Sequence, residues 1–262
     1  MDFQLKDKTA IVAGGGRGIG KAIARELALE GVDMVIASRT MTELQYTADE
    51  LSAETGRRII PITFDVTNRD QVNRAVSQAA DVLGSIHILV NSASLPGGSP
   101  SATGPIETVD DTDLLSDFDV KYVGALRCAR SVIPFMKTQE WGRIINIAGM
   151  MAFEGHAGYS HISASKMGLV GLTRSLAVEL ADHNILVNCI SPGTINTVNP
   201  NANTDRPTEE QIEVVARRVA RVPLGRLASS DEIAALCVFL ASPGGGYISG
   251  QTIHVNGAAD RR

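Results

Sequence analysis

From Thr9 onward the chain alternates between two hydrophobic rhythms. Short runs of β-branched and apolar residues give way to longer segments in which apolar residues recur every three or four positions. The short runs predict strands at Thr9 to Ala13, Met34 to Ser38, Arg58 to Asp65, Ile86 to Asn91, Arg143 to Ile147, Ile185 to Ile190 and Thr252 to Val255. Most are apolar throughout rather than alternating, which implies burial on both faces. Strands and helices that alternate in this way build repeated βαβ units. The expectation is therefore an α/β chain, residues 1–262 forming a single domain around a doubly wound, seven-stranded parallel sheet with helices on both faces.

Local signals delimit several helices. The first starts inside the glycine run at Gly14 to Gly20, carries Ile19, Ile23, Leu27 and Ala28 on its inward stripe, and ends near Gly31. Another starts after Asn68, a good N-cap, and reaches about Leu83; Ser229 and Glu232 have capping-box spacing. Ser94 to Pro105 and the Asn-rich stretch after Thr194 (94–105 and 194–212) follow strands and have no clear period. In an open parallel sheet ligands sit beyond the carboxyl ends of strands, so both are expected to wall a binding site.

Composition narrows the class. With 44% hydrophobic and 20% charged residues and a net charge of -5, the chain reads as globular and gives no electrostatic reason to bind nucleic acid. Cys128, Cys189 and Cys237 lie in apolar stretches without metal-ligand spacing and read as reduced core residues, with no metal expected. No apolar stretch approaches membrane-spanning length and no leader pattern opens the chain, so a cytoplasmic location is expected.

Gly14-Gly-Gly-Arg17-Gly18-Ile19-Gly20 follows a predicted strand and opens a predicted helix. Glycines in that context permit a tight turn, close approach of backbone to a pyrophosphate and close helix-to-strand packing, while the helix N-terminus offers N–H donors. A Rossmann-type dinucleotide site is expected here. At the end of the second strand an acidic residue would bond a free ribose hydroxyl, but Ser38-Arg39 stands there instead. Arg39 and Arg17 can hold a 2′-phosphate, which favours NADP over NAD.

The spacing Gly-x-x-x-Gly-x-Gly, Asp65-Val66, Asn91-Ser-Ala-Ser and Ser191-Pro192-Gly193 together resemble the short-chain dehydrogenase/reductase family over nearly the whole chain. The resemblance implies an adenine contact at Asp65 and Val66, and cofactor contacts at Asn91, Pro192 and Gly193. It also implies a catalytic Asn, Ser, Tyr and Lys. Aligned on Ile162-Ser-Ala-Ser-Lys166, the lysine is present as Lys166, whereas Ile162, Gly149 and Lys121 stand at the tyrosine, serine and asparagine positions. An isoleucine transfers no proton. The displaced tyrosine of dienoyl-CoA reductases is a partial parallel, although their replacement serine is absent at position 162.

Other groups are then candidates for the acid chemistry. Tyr159 lies seven residues before Lys166, two helical turns away on nearly the same face. Ser163 can bond a substrate oxygen, and His156 and His161 are further proton carriers, although such histidines are more often polar loop residues. Lys121 near Lys166 calls for an anionic partner such as Asp119, a phosphate or a carboxylate. The leading expectation is an NADP-dependent oxidoreductase acting on a small carbonyl, hydroxyl or enoyl substrate through an altered set, with Lys166 on the cofactor ribose. A redox-inactive cofactor-binding subunit or sensor and a non-redox lyase remain the alternatives. By resemblance the chain is expected to form a homo-tetramer or dimer through Val120 to Met136 and Gly250 to Val255.

Overall fold

A computed structural model describes residues 2–94, 103–196 and 209–259. Its strands are β1 (Thr9–Ala13), β2 (Asp33–Ser38), β3 (Ile59–Thr63), β4 (Ile88–Asn91), β5 (Gly142–Ile147), β6 (Ile185–Pro192) and β7 (Thr252–Val255). The helices are α1 (Gly18–Leu29), α2 (Met41–Thr55), α3 (Arg69–Leu83), α4 (Asp111–Phe118), α5 (Gly124–Thr138), α6 (Ser160–Glu179), α7 (Glu209–Val219) and α8 (Ser230–Ala241). One seven-stranded sheet runs in the order β3-β2-β1-β4-β5-β6-β7, and every neighbouring pair is parallel. The chain steps outward from β1 to β3, then returns to set β4 on the other side of β1. That reversal leaves a crevice at the carboxyl ends of β1 and β4.

The period of two in each strand sorts side chains onto two cores. Ile11, Ala13, Val35 and Ala37 pack with Val76 of α3, Ala129 of α5 and Leu172 of α6. Ala10, Val12, Met34 and Ile36 pack on the opposite face with Ile23 of α1, Leu44 of α2 and Ile233 of α8. All are buried, and each large aliphatic side chain so buried contributes about 1.5 to 3 kcal/mol. Cys128, Cys189 and Cys237 are free and buried, as their apolar surroundings predicted.

The predicted helix ends are present. Asn68 Oδ1 accepts from the Gln71 N–H at 3.0 Å, and Ser229 and Glu232 form the reciprocal capping box. The third strand is shorter than the apolar run suggested. At its start the Arg58 N–H and Nε donate to the two Asp33 oxygens at 3.0 and 3.1 Å. Beyond its end Asp65 Oδ1 accepts from both the N–H and hydroxyl of Thr67, at 2.9 and 2.8 Å, and turns the chain. Pro61, which has no N–H to donate, is accommodated because β3 lies at the sheet edge. The segment expected to be irregular to residue 212 gives way to α7 at Glu209. Between α4 and α5 the helix widens into one π turn, Asp119–Val123. Such turns recur at functional sites.

At the amino edge of the sheet the Trp141 ring lies between Lys8 Nζ at 4.5 Å and the Arg143 guanidinium at 4.3 Å, with the His87 ring 5.6 Å away. The Thr9 N–H donates to His87 Nδ1 at 3.2 Å, so that nitrogen keeps its lone pair and the ring is neutral. Burial, with the Lys8 charge adding, pushes His87 down to about 4 from the ordinary 6.5. An unfolded histidine binds its proton near pH 6.5, so the native state loses stability as pH falls from there towards about 4 and loses nothing from this group above that interval. His87→Gln should reduce that loss, read as a smaller difference between denaturation midpoints at the two ends of the interval.

Candidate active site

The glycine turn is built by close approach. Gly14 has φ +84°, its N–H donates to the Ala37 carbonyl at 2.7 Å, and a Cβ on it would fall 2.7 Å from the Ser92 carbonyl. A Cβ on Gly20 would fall 2.0 Å from the Gly14 oxygen. Only a residue without a side chain lets the first turn of α1 press onto the end of β1. Arg17 precedes α1, no side chain caps the helix, and no acidic residue lies in its first turn. Its leading N–H groups therefore face the crevice as anion donors, while Ile19 packs beneath them on the core. This cradle fits a dinucleotide pyrophosphate.

At the rim, Ser38 ends β2 and its hydroxyl accepts from the Thr40 N–H at 3.4 Å. Arg39 is exposed and makes no ion pair among the described residues. Arg17 lies 3.9 Å from Glu43 Oε2, an exposed pairing worth little. Val66 is buried against Gly124, where an added Cβ would meet it at 2.8 Å, and its carbonyl accepts from Arg127 at 3.1 Å.

A polar thread that sequence reasoning missed ties the carboxyl ends of β4 and β5 to α6. Asn91 Nδ2 donates to Asn146 Oδ1 at 2.9 Å, Asn146 Nδ2 donates to the Thr173 hydroxyl at 2.9 Å, and that hydroxyl donates to the Leu169 carbonyl at 2.8 Å. Asn91 Oδ1 is buried without a hydrogen-bond partner among the described residues. At the end of β6 the Gly193 N–H donates to the Val255 carbonyl at 2.9 Å, and a Cβ there would meet Asn256 Cα at 2.7 Å. Pro192 is the last residue of the strand. Much of the two expected loop walls, 95–102 and 197–208, lies outside the described residues.

Lys166 Nζ donates to the Ala148 carbonyl at 2.7 Å. Burial, with the Lys121 charge adding, lowers it to about 8 from 10.5. Gly149 has φ +151°, and a Cβ on it would lie 2.4 Å from Nζ. A side chain at 149 would thus strain the backbone and displace the amine. Ile162 is 4% exposed on the same helix. Tyr159 stands immediately before α6 with φ -125° and ψ 30°, so it caps the helix rather than continuing its face. Its ring stacks on His161 at 6.3 Å, its carbonyl accepts from the Ser163 N–H at 3.1 Å, and both Tyr159 and Ser163 are half-buried.

Lys121 sits in the π turn, 4% exposed, and its anionic partner is Asp117, not the expected Asp119. Asp117 lies one helical turn back, the spacing at which helical side chains meet, whereas two residues apart they diverge. Asp119 pairs instead with Arg127 Nη1 at 2.7 Å. Asp117 is fully buried and also accepts from the Ser165 hydroxyl at 2.9 Å. Burial lowers the Lys121 pKa while Asp117 opposes that shift. His161, expected as a polar loop residue, is instead buried within α6 with neither ring nitrogen hydrogen-bonded. His156 stays outside, 3.2 Å from Glu154. Asp117 and Ser165 were legible only as an i,i+4 acid and a helical hydroxyl, and both signals are common.

Residues 13–258 match the family described as Enoyl-(Acyl carrier protein) reductase. A 3-oxoacyl-(acyl-carrier-protein) reductase of Aquifex aeolicus is 32% identical over 98% of this chain and 99% of its own. Nodulation protein G of a Rhizobium species is 34% identical over 97% and 98%. The crystal structure of L-sorbose reductase from Gluconobacter frateurii, complexed with NADPH and L-sorbose, superposes with a TM-score of 0.92 at 28% identity and covers both chains fully. The glycine cradle, the reversal of strand order beside it and these full-length matches agree: the chain belongs to the short-chain dehydrogenase/reductase family of oxidoreductases.

Proposed function

We propose that this chain is an NADPH-dependent reductase of a small carbonyl or enoyl compound, or the corresponding hydroxyl dehydrogenase, that works through an altered catalytic set. The observation that carries the reading is the pairing of the Gly14 to Gly20 cradle with the Lys166 amine, which the Ala148 carbonyl holds and burial lowers to about 8. The NADPH-bound sorbose reductase and the 3-oxoacyl reductases support the cofactor and the direction.

In this reading the first turn of α1 holds the pyrophosphate, and Arg17, Ser38 and Arg39 receive the 2′-phosphate. Asp65 and Val66 flank the adenine; Asn91, Pro192 and Gly193 shape the nicotinamide side. The bound cofactor supplies a hydride. Lys166 leaves the Ala148 carbonyl to hold the ribose, and its charge favours a developing oxyanion. A proton must then reach the reduced substrate, and neither Ile162 nor Gly149 can deliver one. Tyr159, from the mouth of α6, is the proton donor, Ser163 orients the substrate oxygen, and Lys121, paired with Asp117, acts through Lys166. The buried Ile162 supports a second reading, a cofactor-binding subunit without redox turnover. Cytoplasmic location and assembly as a homo-tetramer or a dimer complete the proposal.

Lys166→Ala should weaken NADPH binding by roughly ten- to a hundredfold, as the loss of a hydrogen bond from a charged group implies, and abolish NADPH oxidation. NADPH bound tightly by the wild type but never oxidised with any carbonyl or enoyl compound would select the second reading. Ser38→Asp should shift the ratio of NADPH to NADH affinity by roughly tenfold or more towards NADH. Because the ammonium form holds the ribose, wild-type affinity should fall as pH rises through about 8. Fluorescence titration of NADPH across that pH reads it directly.

A further inference from the structure

Ser165, the chain neighbour of Lys166, belongs to a buried charged cluster of which the catalytic reading uses only Lys121. Asp117, Lys121, His161 and Ser165 are all buried, on three stretches of helix: α4, the π turn and α6. Burying one carboxylate and one ammonium is costly, and an apolar pair of similar shape would serve the fold as well or better. The cluster is nonetheless organised. Lys121 bonds one Asp117 oxygen, and the Ser165 hydroxyl, adjacent in sequence to Lys166, donates to the other at 2.9 Å. Gly168 lets the Tyr122 ring approach α6, an added Cβ meeting it at 3.0 Å, so the π turn is packed directly against the helix that carries Lys166.

We infer that Asp117 is a positioning residue that holds the Lys121 ammonium in this cluster, and that the pair tunes how readily Lys166 releases its proton. Besides burial, the charges that act on Lys166 are those of Lys121 from the π turn and Asp117 from α4; burial pushes the Cys189 thiol of β6 up to about 11, so it stays uncharged where Lys166 titrates. The charges of Asp117 and Lys121 also act, in opposite senses, on His161. Lys121 makes the Lys166 ammonium less favourable, and Asp117 offsets that effect. Without the carboxylate, the Lys121 ammonium would act on Lys166 uncompensated, and Lys166 would release its proton at lower pH. Without Lys121 the opposite follows. The two-lysine site is thus tuned by a third residue that touches neither cofactor nor substrate.

The inference rests on the reading of Lys166 as the ribose-holding amine, but its test does not need turnover. Acetylation of Lys166 in the cofactor-free protein, followed by peptide mass spectrometry between about pH 6 and 10, reports the fraction of neutral amine. Asp117→Asn should move that midpoint down by about one pH unit, and Lys121→Met should move it up by a similar amount. The pH at which NADPH affinity falls should move with it in each variant. Asp117→Asn leaves Lys121 buried and unpaired; if it does not fold, the double variant Asp117→Asn with Lys121→Met removes both charges and should restore a midpoint close to the wild type. Ser165→Ala should move it in the same direction as Asp117→Asn, by less. A midpoint unchanged in Lys121→Met, or one in the double variant displaced as far as in either single variant, would overturn the inference. Shifted acetylation with unshifted NADPH affinity would instead overturn the ribose-holding role of Lys166 and leave the tuning intact.

Discussion

The distance between the Gly14 oxygen and the backbone of Gly20 is too small for a single methyl group, and the carboxyl edge of the sheet is organised around it. Because α1 can press onto the turn, its uncapped N–H groups end at the crevice rather than short of it. The turn itself is held to β2 through the Ala37 carbonyl and runs beside the chain leaving β4 at Ser92. Three strands and a helix are thereby locked around one small volume. A binding site at this point is a consequence of topology, and its suitability for a pyrophosphate is a consequence of missing side chains.

A second layer, on the other face of the sheet, is held by polar contacts rather than by exclusion. The Asn91 to Thr173 thread ties two strand ends to α6, and the Asp117 to Lys121 pair ties the π turn to the same helix through Ser165. Apolar packing would have joined these elements at less cost. Polar groups placed here hold α6 in one register relative to the strands, so that Lys166 meets the Ala148 carbonyl, and they bring charge to the amine that apolar residues could not.

Features governed by neighbours in the chain were legible before the fold was known. The glycine turn, the Asn68 cap and the Ser229 and Glu232 box are all local, and each stands where its spacing put it. The two-sided burial of the strands followed from their lack of alternation. What escaped depended on distant contacts or on an irregular helix. Asp33 trims β3 from the neighbouring strand, 25 residues earlier in the chain, and His161 is buried by packing that no helical period announces. Asp119 seemed the natural partner for Lys121 because it is closer in sequence, but only the helical turn there decides which carboxylate faces inward. Ile162 and Gly149 are legible as residues; whether their positions end the chemistry or reroute it depends on proton donors that spacing does not rank.

The chain contains one tryptophan, and its placement separates two kinds of information. Trp141 stands at the amino edge of the sheet, wedged between Lys8 and Arg143, while the crevice lies at the other end of the strands. The six residues of β5 put roughly 20 Å between them at the usual rise of about 3.3 Å per residue. Unfolding strips the indole of its two cations, whereas a molecule entering the crevice leaves them in place. The intrinsic emission of the protein is therefore a gauge of its fold, and any dimming on addition of a reduced nicotinamide arises through space, by energy transfer, rather than by contact.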